Sequence, residues 1–134
     1  MKIFVSMKAP RGDVELVSLI SALDSAIRTS GHTPFIATQE ITNAGMTSPK
    51  DFMPFVRQEL ATSDLCIIGY HPELRGGLIE VGIAYERRIP ILLCYKPSEK
   101  VSSSMLGCAD VELQYNDESE LKEKVRERLN RQDA

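Results

Sequence analysis

Residues 63–95, SDLCIIGYHPELRGGLIEVGIAYERRIPILLCY, decide the fold of this chain. Two nearly continuous apolar runs, 64–70 and 89–95, are typical of strands that are covered on both faces. Between them, residues 76–88 have the length and periodicity of a helix. A strand, a helix and a second buried strand predict a right-handed crossover within a parallel sheet.

The same alternation continues on both sides of this stretch. Asp13 is placed to cap a first helix that Gly31 can end, and the polar residues 39–50 are interpreted as a loop before a helix that tolerates an early Pro54. We therefore expect one domain, 1–134, with a doubly wound, flavodoxin- or Rossmann-like α/β sandwich and a mostly parallel five-stranded sheet. The predicted strands cover 2–7, 33–38, 64–70, 89–95 and 110–115, and the predicted helices cover 14–31, 51–63, 76–88 and 117–132.

Composition excludes several classes of protein. The 134 residues are 43% hydrophobic and 26% charged, as in globular proteins, and no apolar run reaches the roughly 18 residues of a membrane span. The amino terminus lacks the long apolar region of a secretory signal, so a cytoplasmic location is expected. A net charge of −3 leaves no basic surface for nucleic acid, and without a spanning run no membrane is expected as a partner. Cys66, Cys94 and Cys108 lack metal-ligand spacing and are interpreted as reduced thiols, and no metal or cofactor is expected.

Glu80 is the one carboxylate inside the apolar part of the central helix. If that helix begins at Gly76 or Gly77, Glu80 lies in its opening turns and is expected to face a ligand cleft. A carboxylate in a half-apolar cleft suits a nucleophile or a base, and the alternative is a helix-capping Glu that bonds backbone amides. The residues expected to pack against the sheet instead are Leu78, Ile79, Ile83 and Ala84.

Three polar segments follow predicted strands, at 6–13, 71–80 and 96–105. Loops at the carboxyl ends of parallel strands meet at one edge of the sheet, which is where such folds bind ligands. Glycines, serines and cations beside helix starts suit a phosphate or sugar hydroxyl, although solvated turns have the same composition.

These segments carry a resemblance to a known family. Residues 63–97 resemble the central signature of the nucleoside 2-deoxyribosyltransferase family. Residues 98–110 resemble the phosphate-contacting segment of its 2'-deoxynucleoside 5'-phosphate N-hydrolases, and residues 3–13 are similar to their first strand and phosphate loop. The residues that match the central signature are Asp64, Gly76, Glu80, Gly82 and Ala84.

The resemblance implies a glycosidic reaction. In that family a Glu attacks the anomeric carbon of a 2-deoxyribosyl group through an oxocarbenium-like transition state, and Glu80 takes its position. Asp64 takes the position of a residue that contacts substrate and assists proton transfer to the departing base. Without the resemblance, Asp64 would be interpreted as a strand-end carboxylate that bonds nearby amides.

The resemblance also implies a phosphate site and a partner subunit. Lys8, Arg11 and Gly12 follow the first strand, and Ser103 takes the place of a serine that reaches the phosphate from the neighbouring subunit of a homodimer with composite sites. Met105 is a candidate apolar contact for the base, or a residue that fills a gap in the core. The full set of expected substrate-binding residues is Ser6, Lys8, Arg11, Gly12, Gly76, Gly77, Ser103 and Met105.

Two positions depart from the family pattern. Ile3 stands where the family usually has a tyrosine, and Leu74 stands where the hydrolases have a serine. Arg75 either compensates for a lost contact or faces solvent. His71 either protonates a leaving base or shapes a turn.

The leading hypothesis is hydrolysis of 2'-deoxynucleoside 5'-monophosphates to a free base and deoxyribose 5-phosphate, without a cofactor. Transfer of the deoxyribosyl group to a second base and hydrolysis of ribonucleotides are alternative activities. A nucleotide-binding or sensor module without turnover is the alternative from another class. The sequence leaves the preferred base open.

Overall fold

The computed structural model describes residues 1–132, which form one five-stranded sheet with helices on both faces. The strands are β1 (Lys2–Ser6), β2 (Thr33–Ile36), β3 (Leu65–Gly69), β4 (Ile91–Tyr95) and β5 (Val111–Gln114). The helices are α1 (Val14–Thr29), α2 (Ala37–Asn43), α3 (Pro49–Ala61), α4 (Gly76–Glu86), α5 (Ser103–Cys108) and α6 (Glu118–Gln132). Of these helices, none is long and apolar enough to cross a membrane.

The strands lie in the order β2-β1-β3-β4-β5, and all four pairings are parallel. This is the flavodoxin-like order of a doubly wound sheet, so the predicted fold class is confirmed. The strand order reverses between β1 and β3, because β2 lies on one side of β1 and the later strands lie on the other. Ligands of such sheets bind beyond the carboxyl ends of the strands at this reversal.

Each strand buries alternate side chains in two separate cores. Ile3 and Val5 lie in the core under α1 and α6, whereas Phe4 lies in the core under α3, α4 and α5. Ser6 is two residues beyond Phe4 and therefore faces the second group of helices. Ile3, at the position of the family tyrosine, is fully buried under α1 and α6 and therefore points away from α3, α4 and α5, the side on which Ser6 lies.

Asp13 and Gly31 mark the two ends of α1, as predicted. The Asp13 carboxylate accepts a hydrogen bond of 3.2 Å from the Leu16 amide, so Asp13 caps the helix. The helix ends at Thr29, and Gly31 follows with φ of +85°, which a glycine adopts without strain.

Two short helices were not predicted. Helix α2 occupies residues that we assigned to the end of a strand and to a loop, and it has no side-chain cap and several β-branched residues, so its local signal is weak. Helix α5 begins in the polar segment 96–105 and continues to Cys108. Helix α3 begins at Pro49, two residues earlier than expected, which places Pro54 inside the helix.

Candidate active site

A cleft of about 440 Å³ opens beyond the carboxyl ends of β1 and β3, at the reversal of strand order. Residues from the β1–α1 loop, α2, α3 and the start of α4 line it. One part of its wall carries the cations Lys8, Arg11 and Arg75. Another part is apolar, and its residues are Ala37, Ile41, Phe52, Met53 and Val56. The cleft therefore combines a cationic and an apolar wall.

Glu80 lines this cleft and is 8% exposed. Its Oε1 accepts a hydrogen bond of 2.5 Å from the Ser6 hydroxyl, which joins the end of β1 to the second turn of α4. One carboxylate oxygen is thus fixed by a buried donor. No side chain caps α4, and Glu80 bonds Ser6, so the capping alternative does not describe this residue.

Burial raises the pKa of Glu80 from an ordinary 4.5 to about 7, because the apolar surroundings disfavour the charged form. The hydrogen bond from Ser6 acts in the opposite direction, since it stabilises the carboxylate. Near neutral pH the protonated and ionised forms of Glu80 are therefore both populated. The ionised form is a nucleophile and the protonated form is an acid.

The face of α4 that packs on the sheet was predicted in part: Ala84 and Ile83 pack there as expected, and Leu78 and Ile79 do not. Glu80 shares the buried face with Val81 and Ala84, which are 4% and 0% exposed. Leu78 and Ile79, expected to pack on the sheet, are 53% and 55% exposed. With 3.6 residues per turn, a helix that turns residues 80, 81 and 84 inward must turn 78 and 79 outward.

The start of α4 offers backbone donors to the cleft. Gly76 and Gly77 are the first two helical residues, both line the cleft, and no side chain caps this end. A Cβ on Gly77 would lie 2.5 Å from the Leu74 side chain, so glycine allows Leu74 to fold against the helix. Gly76 is exposed, and nothing lies within 4 Å of a Cβ built on it, so no neighbouring side chain fills this part of the cleft.

The loop after β1 brings a cation to the cleft in an uncommon backbone conformation. Arg11 and Gly12 have φ of +42° and +87°, in a tight turn closed by a hydrogen bond of 2.8 Å from the Asp13 amide to the Pro10 carbonyl. A positive φ at a non-glycine residue costs free energy and often occurs at functional sites. Gly12 shapes this turn and is not among the residues that line the cleft.

The structure does not bring Asp64 to the site. Asp64 precedes β3, and its Oδ2 accepts a hydrogen bond of 2.8 Å from the Lys2 amide at the amino edge of the sheet. Glu80 bonds Ser6 at the carboxyl end of β1, so the two carboxylates lie at opposite edges. The interpretation of Asp64 as a strand-end carboxylate fits this position, and the role implied by the resemblance does not.

Ser103 and Met105 also lie outside the cleft of their own subunit. Ser103 is exposed at the start of α5 and is not among the residues that line the cleft. Met105 is 3% exposed and belongs to the core under α3, α4 and α5, so it fills the core and does not contact a base in this cleft.

His71 has a structural contact. The Nδ1 atom of His71 accepts a hydrogen bond of 3.0 Å from the Glu73 amide, so His71 shapes the turn before α4.

Cys66 and Cys94 are buried free thiols, as expected, and burial raises the pKa of both thiols, to about 12 for Cys94. Both thiols stay protonated. Within residues 1–132, no group of three or more His, Cys, Asp or Glu side chains could hold a metal ion.

Sequence reasoning missed part of the cleft wall. Ala37 and Ile41 lie on α2, which was not predicted, and Phe52, Met53 and Val56 lie on α3, to which no site residue was assigned. The amphipathic spacing of α3 was the available signal, but it does not distinguish a cleft wall from a core. Glu73 also lines the cleft and was not predicted.

The fold and the cleft define a doubly wound α/β protein with a buried carboxylate at its ligand-binding edge. No family model matches the sequence. No curated protein matches it either.

Solved structures do match. The CMP N-glycosidase BcmB from Clostridium botulinum superposes with a TM-score of 0.74 at 18% identity, over 93% of this chain and 97% of that chain. The 2-deoxyribosyltransferase of Bacillus psychrosaccharolyticus superposes with a TM-score of 0.71 at 17% identity, over 91% of this chain and 90% of that chain. A conserved protein from Enterococcus faecalis V583 superposes with a TM-score of 0.67 at 15% identity, over 96% of this chain and 98% of that chain. The chain shares their fold.

Proposed function

We propose that this chain is an N-glycosidase that hydrolyses 2'-deoxynucleoside 5'-monophosphates, with Glu80 as the nucleophile and residues 1–134 as one nucleoside 2-deoxyribosyltransferase-like domain. The observation that carries the proposal is the buried Glu80 carboxylate in a cleft with one cationic and one apolar wall. Two proteins of the same fold, a CMP N-glycosidase and a 2-deoxyribosyltransferase, support this class of reaction.

The two walls suggest how a nucleotide would lie. The base packs against Ile41 and Phe52, which are half-buried and provide branched and flat apolar surface. The 5'-phosphate lies toward Lys8 and Arg11, where cations and the free amides at the start of α4 favour an anion. The sugar then lies between the walls, with its anomeric carbon near Glu80.

The reaction proceeds in two steps. The ionised carboxylate of Glu80 attacks the anomeric carbon, the bond from that carbon to the base breaks, and the base leaves with the electron pair and takes a proton from water. Water then attacks the same carbon and gives up a proton, which neutralises the hydroxide left when the base was protonated. The bond between the sugar and Glu80 breaks, the carboxylate is regenerated, and deoxyribose 5-phosphate is released. Ser6 holds one oxygen of the carboxylate throughout, which leaves the other oxygen for the attack.

The phosphate part of the proposal is tested by a substrate panel. We expect deoxynucleoside monophosphates to react much faster than the matching nucleosides. Arg11→Ala should remove most of this preference, with a loss of about 10- to 100-fold in kcat/KM for the monophosphates, because a charged hydrogen bond is lost. Release of free base is the measurement, and Arg131→Ala is the control because that arginine is exposed on α6, far along the chain from the cleft.

The panel also separates the alternatives. Equal rates for monophosphates and nucleosides would contradict the phosphate site. Ribonucleotides belong in the panel, since one protein of this fold is a CMP N-glycosidase. A new nucleoside formed when a second base is added would identify a transferase. Binding of monophosphates without any base release would identify a binding module.

We also propose a symmetric homodimer with composite sites. Leu78, Ile79 and Tyr85 leave an apolar face of α4 exposed, with Tyr85 at 60%. Helix α5 packs beside α4, so Ser103 lies in the same region of the surface. A twofold axis near α4 would cover this face and could bring Ser103 to the phosphate site of the partner subunit.

Mixing two inactive variants tests the composite site. Glu80→Gln lacks the nucleophile, and Ser103→Ala lacks the serine. In a mixed dimer, one site combines an intact Glu80 with an intact Ser103 from the other subunit, so base release from monophosphates should exceed the sum of the separate variants. Light scattering gives the oligomeric state. A monomer with full turnover, or mixing without any gain, would contradict composite sites.

A further inference from the structure

Glu73 forms an ion pair across the cleft that the proposed reaction does not use. Its Oε2 lies 3.7 Å from the Lys8 Nζ, and both residues line the cleft. Lys8 belongs to the loop after β1 and Glu73 to the turn between β3 and α4, so the pair joins the two strand ends that flank the site. The Glu73 side chain is 70% exposed and that of Lys8 is 25% exposed. The Glu73 carboxylate therefore lies at the opening of the cleft to solvent, which we call its mouth.

The backbone that carries Glu73 is fixed, while its side chain is not. The Glu73 amide donates to the His71 Nδ1 at 3.0 Å, and the Leu74 amide donates to the His71 carbonyl at 2.9 Å. Among residues 1–132, the carboxylate forms one ion pair, with Lys8, and its exposure gives it room to rotate. An exposed pair of this kind is weak, so a stronger anion can displace it without moving the turn.

We propose that Glu73 is a specificity-determining residue that competes with the substrate's 5'-phosphate for Lys8. This inference rests on the proposed function. A phosphate must separate Lys8 from Glu73 and then lie near a carboxylate of the same sign, which lowers its affinity. An uncharged nucleoside leaves the pair intact. Glu73 thereby limits how tightly the phosphorylated substrate and product are held.

The neighbouring residue supports a reduced hold on phosphate. Leu74 lies in the cleft wall and folds against Gly77, so an apolar side chain with no hydroxyl donor adjoins the pair. The local cations are Lys8, Arg11 and Arg75, and Glu73 is the acidic side chain among the exposed residues of this wall. Removing its charge alone therefore raises the net positive charge at the mouth by one unit.

Glu73→Gln tests the competition, because it removes the charge and keeps the size of the side chain. Titration with inorganic phosphate, followed by calorimetry, is expected to show roughly fivefold tighter binding at low ionic strength, and salt should diminish the gain. The ratio of KM for a monophosphate to KM for its nucleoside should fall by about the same factor.

Glu123→Gln provides a matched control. Glu123 is 73% exposed, and its Oε2 lies 3.7 Å from the Arg126 Nη1 on α6, so the variant removes a similar charge from a similar pair away from the cleft. Phosphate affinity should equal that of the wild type.

The outcomes for Glu73 and for the proposed reaction are separable. Phosphate binding that is unchanged or weaker in Glu73→Gln than in the control overturns the competition, even if base release proceeds normally. Tighter phosphate binding in a protein that releases no base from any nucleotide would support the competition and contradict the proposed hydrolysis.

Discussion

Glu80→Gln is expected to lower the rate of base release by at least about a thousandfold, because an amide cannot form the ester with the anomeric carbon. Glutamine has nearly the same shape and can still accept a hydrogen bond from Ser6, so the cleft should persist. Nucleoside monophosphates should still bind. Rates of base release at saturating substrate, together with a binding titration, are the measurements.

Glu86→Gln is the control for this substitution, since Glu86 lies exposed at the end of the same helix. It should retain the wild-type rate. If Glu80→Gln turned over normally, Glu80 would be a structural residue and the reaction would need another nucleophile.

The same substitution is expected to stabilise the folded protein near neutral pH. The pKa of Glu80 is about 7 in the folded state and near its ordinary 4.5 when the chain unfolds. The stability that Glu80 contributes is therefore fully present below about pH 4.5 and is lost as the pH rises toward 7. At pH 7 the difference corresponds to about 3 kcal/mol.

Urea unfolding at several pH values measures this effect. Glutamine does not titrate, so the variant should be more stable than the wild type at pH 7 and the difference should shrink as the pH falls to 4.5. A difference that stays constant over this range would show that Glu80 is not the buried titrating group. Ser6→Ala removes the hydrogen bond that lowers the Glu80 pKa, so the loss of stability should extend to a higher pH in this variant.

The fold was predictable because its signals are local and repeated. Apolar runs without alternation identified buried strands, and Asp13 and Gly31 marked the ends of α1. Helix α2 was not predictable, since no side chain caps it and it contains β-branched residues. Contacts with the rest of the fold outweigh its weak intrinsic propensity. The cleft wall that α2 provides was missed with it.

The candidate site was predictable in part. Glu80, Lys8 and Arg11 follow from the rule that ligands bind at the carboxyl edge, and the structure places all three in one cleft. The orientation of α4 was right for Ala84 and wrong for Leu78 and Ile79, because spacing shows which residues share a face but not which face is buried. Glu80 is on the buried face, and Leu78 and Ile79 are outside.

The position of Asp64 has a simple geometric cause. A residue that opens a strand lies at the opposite edge from the loops that follow strands, and five residues at about 3.3 Å each separate the ends of β3. Asp64 was assigned to the site by resemblance alone. Its hydrogen bond to the Lys2 amide holds β1 and β3 together at their amino ends.

The most direct test of the central claim is a search for the covalent intermediate. A nucleoside monophosphate with fluorine at the 2-position of the sugar slows breakdown of the sugar–enzyme ester, and mass spectrometry of digested protein then locates the modified residue. We expect the mass of a fluorinated sugar phosphate on the peptide that contains Glu80, and no adduct on Glu80→Gln. An adduct on any other side chain, or turnover in which Glu80 is never modified, would contradict the account.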